Sequence, residues 1–182
     1  MDREQQLLEL ARGDKSPAAF GALVKVHQGR LRAFLVRLCK DYDLADDIAQ
    51  DSFIAAYRKL DSLGADGRFG AWLFKIAYNN FLQHQRRSQR RSEVSVEYQQ
   101  HFELLQERYE GVSTAQLDLE KAMAQLGSDE VAAITLCHSF GFSHSEAAEI
   151  LKMPLGTVKT HINRGKARLR ERLVAPALEK AS

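Results

Sequence analysis

The sequence predicts an all-α protein built as two small helical domains joined by a flexible acidic linker. Three observations carry that reading. Apolar residues recur at spacings of three and four along nearly the whole chain, and the alternation of a half-buried strand is absent. Gly, Ser and Pro interruptions cut the periodicity into segments of helix length. Charge is segregated: residues 1–91 carry 16 Lys/Arg against 11 Asp/Glu, residues 92–118 carry only Arg108 against six acids, and residues 119–182 carry 9 against 7. A length of 182 residues suits one medium domain or two small ones, so the expected division is 1–91, a linker at 92–118, and 119–182.

The first clear helix follows Ser16-Pro17, where Phe20, Leu23, Val24, His27, Leu31, Phe34, Leu35 and Leu38 fall on one stripe over about six turns. A second starts near Asp43 and turns Ile48, Ser52, Phe53, Ala56, Tyr57 and Leu60 inward. On its opposite face stand Asp43, Asp47, Gln50 and Asp51. Asp47 and Asp51, one turn apart, repel each other by a few tenths of a kcal/mol. An acidic patch kept at that cost suits a basic partner, although acids near a helix N-terminus also gain from its dipole. Gly64, Gly67 and Gly70 then break the chain. The next helix is expected to direct Trp72, Leu73, Ile76, Ala77, Asn80 and Phe81 inward. Its other side is a stripe of Lys75, Asn79, Gln83, Arg86 and Arg90, which Arg87 and Arg91 extend into a track for a phosphate backbone. Trp72 has the spacing of a core residue, though its ring could also serve as a stacking platform.

Residues 92–118 read as a tether with patchy helix, after which Leu119, Ala122, Met123, Leu126, Val131, Ile134, Thr135, Cys137 and His138 resume the helical period. Ser143 with Glu146 forms a capping box. The short helix it opens is expected to bury Ala147, Ala148 and Leu151, small residues that allow close approach. Lys152-Met153 form a turn, and Pro154 suits a first helical position. In the last helix Leu155, Val158, Ile162, Gly165, Leu169 and Leu173 share one face. Thr157, Thr160, Asn163 and Arg164 stand opposite, flanked by Lys159, Lys166 and Arg168. Hydroxyls, an amide and a guanidinium on an exposed face match base edges and phosphates. Capping box, small residues, tight turn and basic face occur in the order of a DNA-reading helix-turn-helix.

Other function classes find little support. No apolar run approaches the length of a membrane span. The charged start, Met1 to Gln6, lacks the apolar stretch of a secretory signal, so a cytoplasmic location is expected. Cys39 and Cys137 read as two separate buried thiols, without metal or redox spacing. The six histidines show no ligand spacing, so no metal and no cofactor is expected. Without a glycine-rich phosphate loop or a nucleophile motif, the chain is not expected to be an enzyme or to have catalytic residues or a small-molecule substrate.

Glu146-Ala147-Ala148-Glu149-Ile150-Leu151 followed by Pro154-Leu155-Gly156-Thr157-Val158-Lys159-Thr160 resembles the promoter-reading domain of bacterial group IV, or extracytoplasmic-function (ECF), sigma factors of the sigma-70 family. Independently, Asp46-Asp47-Ile48-Ala49-Gln50-Asp51-Ser52-Phe53 is similar to that family's core-binding segment, and Trp72-Leu73-Phe74-Lys75-Ile76-Ala77-Tyr78-Asn79 to its minus-10-reading helix. The resemblance implies sigma region 2 at 1–91 and region 4 at 119–182. It implies binding to the clamp helices of the RNA polymerase beta-prime subunit through Asp43, Asp46, Asp47, Gln50 and Asp51. Minus-10 DNA falls to Lys75, Asn79, Asn80, Gln83, Arg86, Arg87 and Arg90, with a base captured by the loop at 61–70. Minus-35 DNA falls to Thr157, Lys159, Thr160, Asn163, Arg164 and Lys166. An anti-sigma factor able to hold the protein at the inner membrane, and a stress, envelope, metal or nutrient regulon, are further implications. The acidic linker either follows the path of the transcript or is a soluble tether. Lys152 replaces a frequent glycine, Gly127 a common proline and Gln83 a frequent aspartate, and Asn163 stands at a variable position of the recognition face. A decoy for an anti-sigma factor would need neither basic cluster, and an ordinary helix-turn-helix regulator would not need the acidic patch.

Overall fold

The computed structural model describes residues 3–13, 15–64, 68–89 and 114–179, of which 89 and 174–179 are described by their backbone alone. Among them every regular element is helical: α1 (Arg3–Gly13), α2 (Pro17–Cys39), α3 (Tyr42–Arg58), a 3-10 turn (Leu60–Ser62), α4 (Phe69–Gln89), α5 (Thr114–Ala124), α6 (Ser128–Ile134), α7 (His144–Leu151) and α8 (Leu155–Glu179). The all-α expectation holds. The linker at 92–118 lies outside the described residues up to 113, as do Arg90, Arg91 and positions 65–67 of the base-capturing loop.

Local chemistry sets the boundaries. Ser16 caps α2 by accepting the Ala19 N–H at 3.3 Å, and Pro17 begins the helix with φ already fixed. Lys40 ends α2 in a left-handed conformation, φ 58°, and Asp41 at once caps α3 through the Leu44 N–H at 3.0 Å. Two residues thus turn one helix back along the next. The stripe expected on α2 is buried throughout except for half-buried Val24. Along α3, Ile48, Ser52 and Ala56 are buried and Phe53 is half-buried, but Tyr57 is 43% exposed and lies edge-on to Phe20 at 4.9 Å. The fully buried Ser52 hydroxyl donates to the Ile48 carbonyl at 2.6 Å and accepts from the Asn80 amide at 3.1 Å, which ties α3 to α4. Helix α1 has no counterpart in the sequence reading. It packs Leu8 and Ala11 on the bundle and sets Glu4 3.0 Å from buried His27.

The arc that α4 buries is wider than its pattern suggested. Phe69, Leu73, Phe74, Ala77, Tyr78 and Phe81 are buried, while Trp72, Ile76 and Asn80 are only half-buried. The reason is a second packing partner. Phe74 meets Phe34 at 5.3 Å on one side and Phe140 and Phe142, each at 5.4 Å, on the other. The Tyr78 hydroxyl donates to Asp129 at 3.0 Å. The N- and C-terminal halves are therefore packed against each other through helices α2 and α4.

A π-type turn delivers those two phenylalanines. After α6 the chain runs through Thr135–Ser139, and the Phe140 N–H reaches back five residues to the Thr135 carbonyl at 3.1 Å. Such a turn inserts one residue into a helix and redirects the backbone beyond it. Gly141, at φ 75°, then reverses the backbone where a side chain would be strained. Cations of the first half ring the contact. Arg30 donates to the Phe140 carbonyl at 2.5 Å and lies 5.0 Å from its ring centre. Arg37 holds Glu120 with two bonds, at 2.5 and 3.2 Å, and Ser139 with a third at 3.0 Å. Lys40 donates to the Ala124 carbonyl at 2.8 Å.

The C-terminal half closes much as expected. Ser143 and Glu146 form the reciprocal capping box, at 3.2 and 2.8 Å. Lys152 ends α7 at φ 53°, a left-handed lysine that costs about 1 kcal/mol relative to glycine. Pro154 stands one place earlier than expected: its carbonyl accepts the Val158 N–H, so it precedes the first helical residue rather than being it. Val158, Ile162, Gly165 and Leu169 are buried on α8, whereas Leu155 at its start and Leu173 beyond Leu169 stay 40% and 36% exposed. Leu119, expected inward, is 37% exposed, and Ala148 is half-buried while its neighbour Ile150 is fully covered.

Candidate nucleic-acid interface

Three surfaces carry the residues singled out by sequence. On α3, Asp43, Asp46, Asp47, Gln50 and Asp51 are all exposed on the side away from Ile48 and Ser52. Asp46 is not free: Arg32 of α2 grips its carboxylate through both Nε and Nη2. The uncompensated negative charge of this surface therefore rests on Asp43, Asp47 and Asp51, with Gln50 beside them.

On α4 the stripe is graded. Lys75, Asn79 and Asn80, near its middle, are half-buried, and Gln83, Arg86 and Arg87, toward its end, are exposed. The Asn79 amide donates to the Lys75 carbonyl at 2.7 Å, and Asn80 is turned toward Ser52. Among the described residues the exposed cationic part of the stripe is thus Arg86-Arg87. At the head of α4, exposed Arg68 pairs with Glu146 of α7. Sequence reasoning passed over that arginine, whose partner lies 78 residues away. The Ser143 N–H, helped by its hydroxyl and by Arg68, holds the Glu146 carboxyl below the usual range against a smaller opposing effect of burial.

The recognition face of α8 is the most complete. Thr157, Lys159, Thr160, Asn163, Arg164 and Lys166 are all exposed, backed by buried Val158, Ile162 and Gly165. The Thr160 hydroxyl donates to the Gly156 carbonyl at 2.9 Å, which directs its lone pairs outward. Behind this face lies Glu130, 5% exposed, another residue the sequence reading left aside. Its position three after Gly127, at the start of α6, was the available signal.

Among the described residues no group of His, Cys, Asp and Glu side chains could hold a metal ion. Cys39 and Cys137 are free and half-buried. Burial, reinforced by Asp41, pushes the Cys39 thiol up to about 12, and burial with Glu146 raises Cys137, so neither is a ready thiolate. Among the described residues no helix is long and apolar enough to cross a membrane.

Known proteins share this arrangement. Sigma-70 region 2 matches residues 23–91 and Sigma-70 region 4 matches residues 116–169. The RNA polymerase sigma-H factor of Pseudomonas aeruginosa is 32% identical over 198 aligned positions, spanning 99% of this chain and 98% of that protein. The ECF RNA polymerase sigma-E factor of Escherichia coli is 33% identical over 175, with 90% of each covered. Among solved structures, the sigma factor RpoE in complex with the anti-sigma factor NepR from Bartonella quintana superposes with a TM-score of 0.70 at 29% identity, over 85% of this chain and 96% of that one. CnrH in complex with the cytosolic domain of CnrY gives 0.68 at 27%, over 96% and 99%.

Proposed function

This chain belongs to the extracytoplasmic-function RNA polymerase sigma factors and directs transcription initiation as an alternative sigma factor; from that premise we propose how its residues divide the work. Residues 1–91 act as region 2, residues 119–182 as region 4, and 92–118 connect them. Asp43, Asp47, Gln50 and Asp51 meet the basic clamp helices of the polymerase core, with Asp46 steadied by Arg32. Lys75, Gln83, Arg86, Arg87 and Arg90 track the backbone of the minus-10 strand. Asn79 and Asn80 stand among them to meet a base edge, each amide donating one bond within the protein and keeping its second N–H and its carbonyl oxygen for the strand. Thr157, Lys159, Thr160, Asn163, Arg164 and Lys166 read the minus-35 duplex.

The observation that carries this reading is the recognition helix. Every polar residue assigned to the minus-35 element is exposed on one face, and the opposite face is sealed into the core. A helix so anchored can enter a major groove as a rigid body. The protein has no chemistry of its own to perform: polymerase makes the bonds, and the sigma factor supplies position. It works in the cytoplasm. An anti-sigma factor, as NepR is for the RpoE of Bartonella quintana, is the expected negative regulator and can hold it at the inner membrane.

Arg164 gives the sharpest test. Arg164→Ala should weaken holoenzyme binding at the minus-35 element by about 1–3 kcal/mol and relax preference at one base pair. Gel shift with base-substituted promoters measures both effects. Unchanged affinity and unchanged preference would remove Arg164 from the reading face.

A further inference from the structure

We propose that Glu130 is a positioning residue for promoter reading, a buried carboxylate that sets the Arg164 guanidinium and with it the base preference of α8; the inference rests on the assignment of Arg164 to the minus-35 element. Four observations meet at this one side chain. Its carboxylate is 6% exposed, which is rare for a glutamate unless it is paired. One oxygen, Oε2, accepts the Gly127 N–H at 3.3 Å and so caps α6, where glycine offers no side chain to do it. The same oxygen accepts from Arg168 Nη1 at 2.9 Å. The other, Oε1, lies 3.9 Å from Arg164 Nε.

Arg164 and Arg168 are one turn apart and straddle Gly165, where α8 comes nearest to α6. A Cβ at Gly165 would stand 2.5 Å from Ile134 Cδ1 and 3.4 Å from Glu130 Cβ. The crossing therefore places the carboxylate directly beneath two arginines and fixes how α8 is rotated about its axis. Because Arg164 turns Nε toward Glu130, its two terminal nitrogens remain for DNA. That is the fork that makes a bidentate contact with one base. A carboxylate behind the fork also subtracts from the general pull of α8 on phosphates, which favours contacts with the right base over contacts with any duplex.

The test uses the full chain in holoenzyme with purified core polymerase. Promoters selected from random duplexes by the wild-type holoenzyme are then varied one minus-35 base pair at a time. Glu130→Gln keeps the cap acceptor and the packing volume but removes the charge. It should cut discrimination at the base pair read by Arg164 about tenfold, while affinity for non-specific duplex rises. In an Arg164→Ala background the same change should cost no further discrimination. A thermal melt accompanies each variant. If Glu130→Gln fails to fold, Glu130→Asp, with the charge drawn back by one methylene, carries the test with the same two outcomes. Full discrimination in the Glu130 variant, or an equal loss with and without Arg164, overturns the proposal and leaves Glu130 a cap. If Arg164→Ala alone leaves discrimination intact, the minus-35 assignment falls and takes this inference with it.

Discussion

Reversing two charges on α3, as Asp47→Lys with Asp51→Lys, should abolish stable binding to core polymerase, lowering affinity by at least about a hundredfold. The magnitude follows from placing like charges across an interface, which costs several kcal/mol. These two acids are the right pair because they are exposed and, among the described residues, no cation grips them, whereas Asp46 is already held by Arg32. The fold should tolerate the change. The two side chains lie on the face away from Ile48 and Ser52, and a Lys–Lys pair one turn apart costs about what the Asp–Asp pair costs now. Melting temperature should move by little, while co-elution with core disappears. Retained binding would place the polymerase contact elsewhere on the chain.

Phe34→Ala should produce the largest loss of stability, about 3–5 kcal/mol. The ring is fully buried, and its removal leaves a cavity beside the aromatic contact between the two halves of the molecule. Phe74 is 5.3 Å away in the same half, and Phe140 is 6.5 Å away in the other. At roughly 2–4 °C per kcal/mol for a chain of this size, the melting temperature should fall by about 6–20 °C. Phe34→Leu, which keeps most of the volume, should cost much less. A small shift for the alanine variant would mean that the site collapses around the cavity or that the halves contribute little to each other's stability.

Sequence periodicity was most informative where a helix buries a single apolar stripe. The α2 stripe and the centre of the capped α7–α8 pair are such cases, with Ala147, Leu151, Val158, Ile162, Gly165 and Leu169 buried where the pattern directs them. Periodicity was misleading where burial comes from a second, distant partner. Phe74 and Tyr78 were not among the residues of α4 expected inward. They are core because Phe140, Phe142 and Asp129, more than fifty residues further on, cover them. Tyr57, Leu119 and Leu155 were expected inside by spacing and are partly solvent-facing; Tyr57 and Leu155 lie at helix ends where the covering partner stops. Helix α1 offered too few apolar positions to be read, and its hold on the bundle includes a polar contact, Glu4 to His27, that no periodicity encodes.

The candidate site divides along the same line. Exposure of the α8 recognition face and of the α3 acids was legible, because charged and polar residues opposite an apolar stripe have nowhere else to go. What each polar group bonds to was not. Asn80 reads as a base-edge donor by type and spacing, yet its amide serves Ser52. Glu130 reads as an acid in a helix first turn, yet it is buried beneath two arginines of another helix. Such pairings depend on how helices cross, which a single strand of periodicity does not specify.

The central claim is that the acidic face of α3 and the recognition face of α8 act together, through polymerase. Purified full chain, core polymerase and a library of promoter fragments, combined in a run-off transcription assay, test it directly. The account predicts discrete transcripts that require both proteins, start downstream of paired promoter elements, and vanish with the Asp47→Lys/Asp51→Lys variant. Specific binding of the chain to duplex DNA without core, and no transcript with it, would contradict the account.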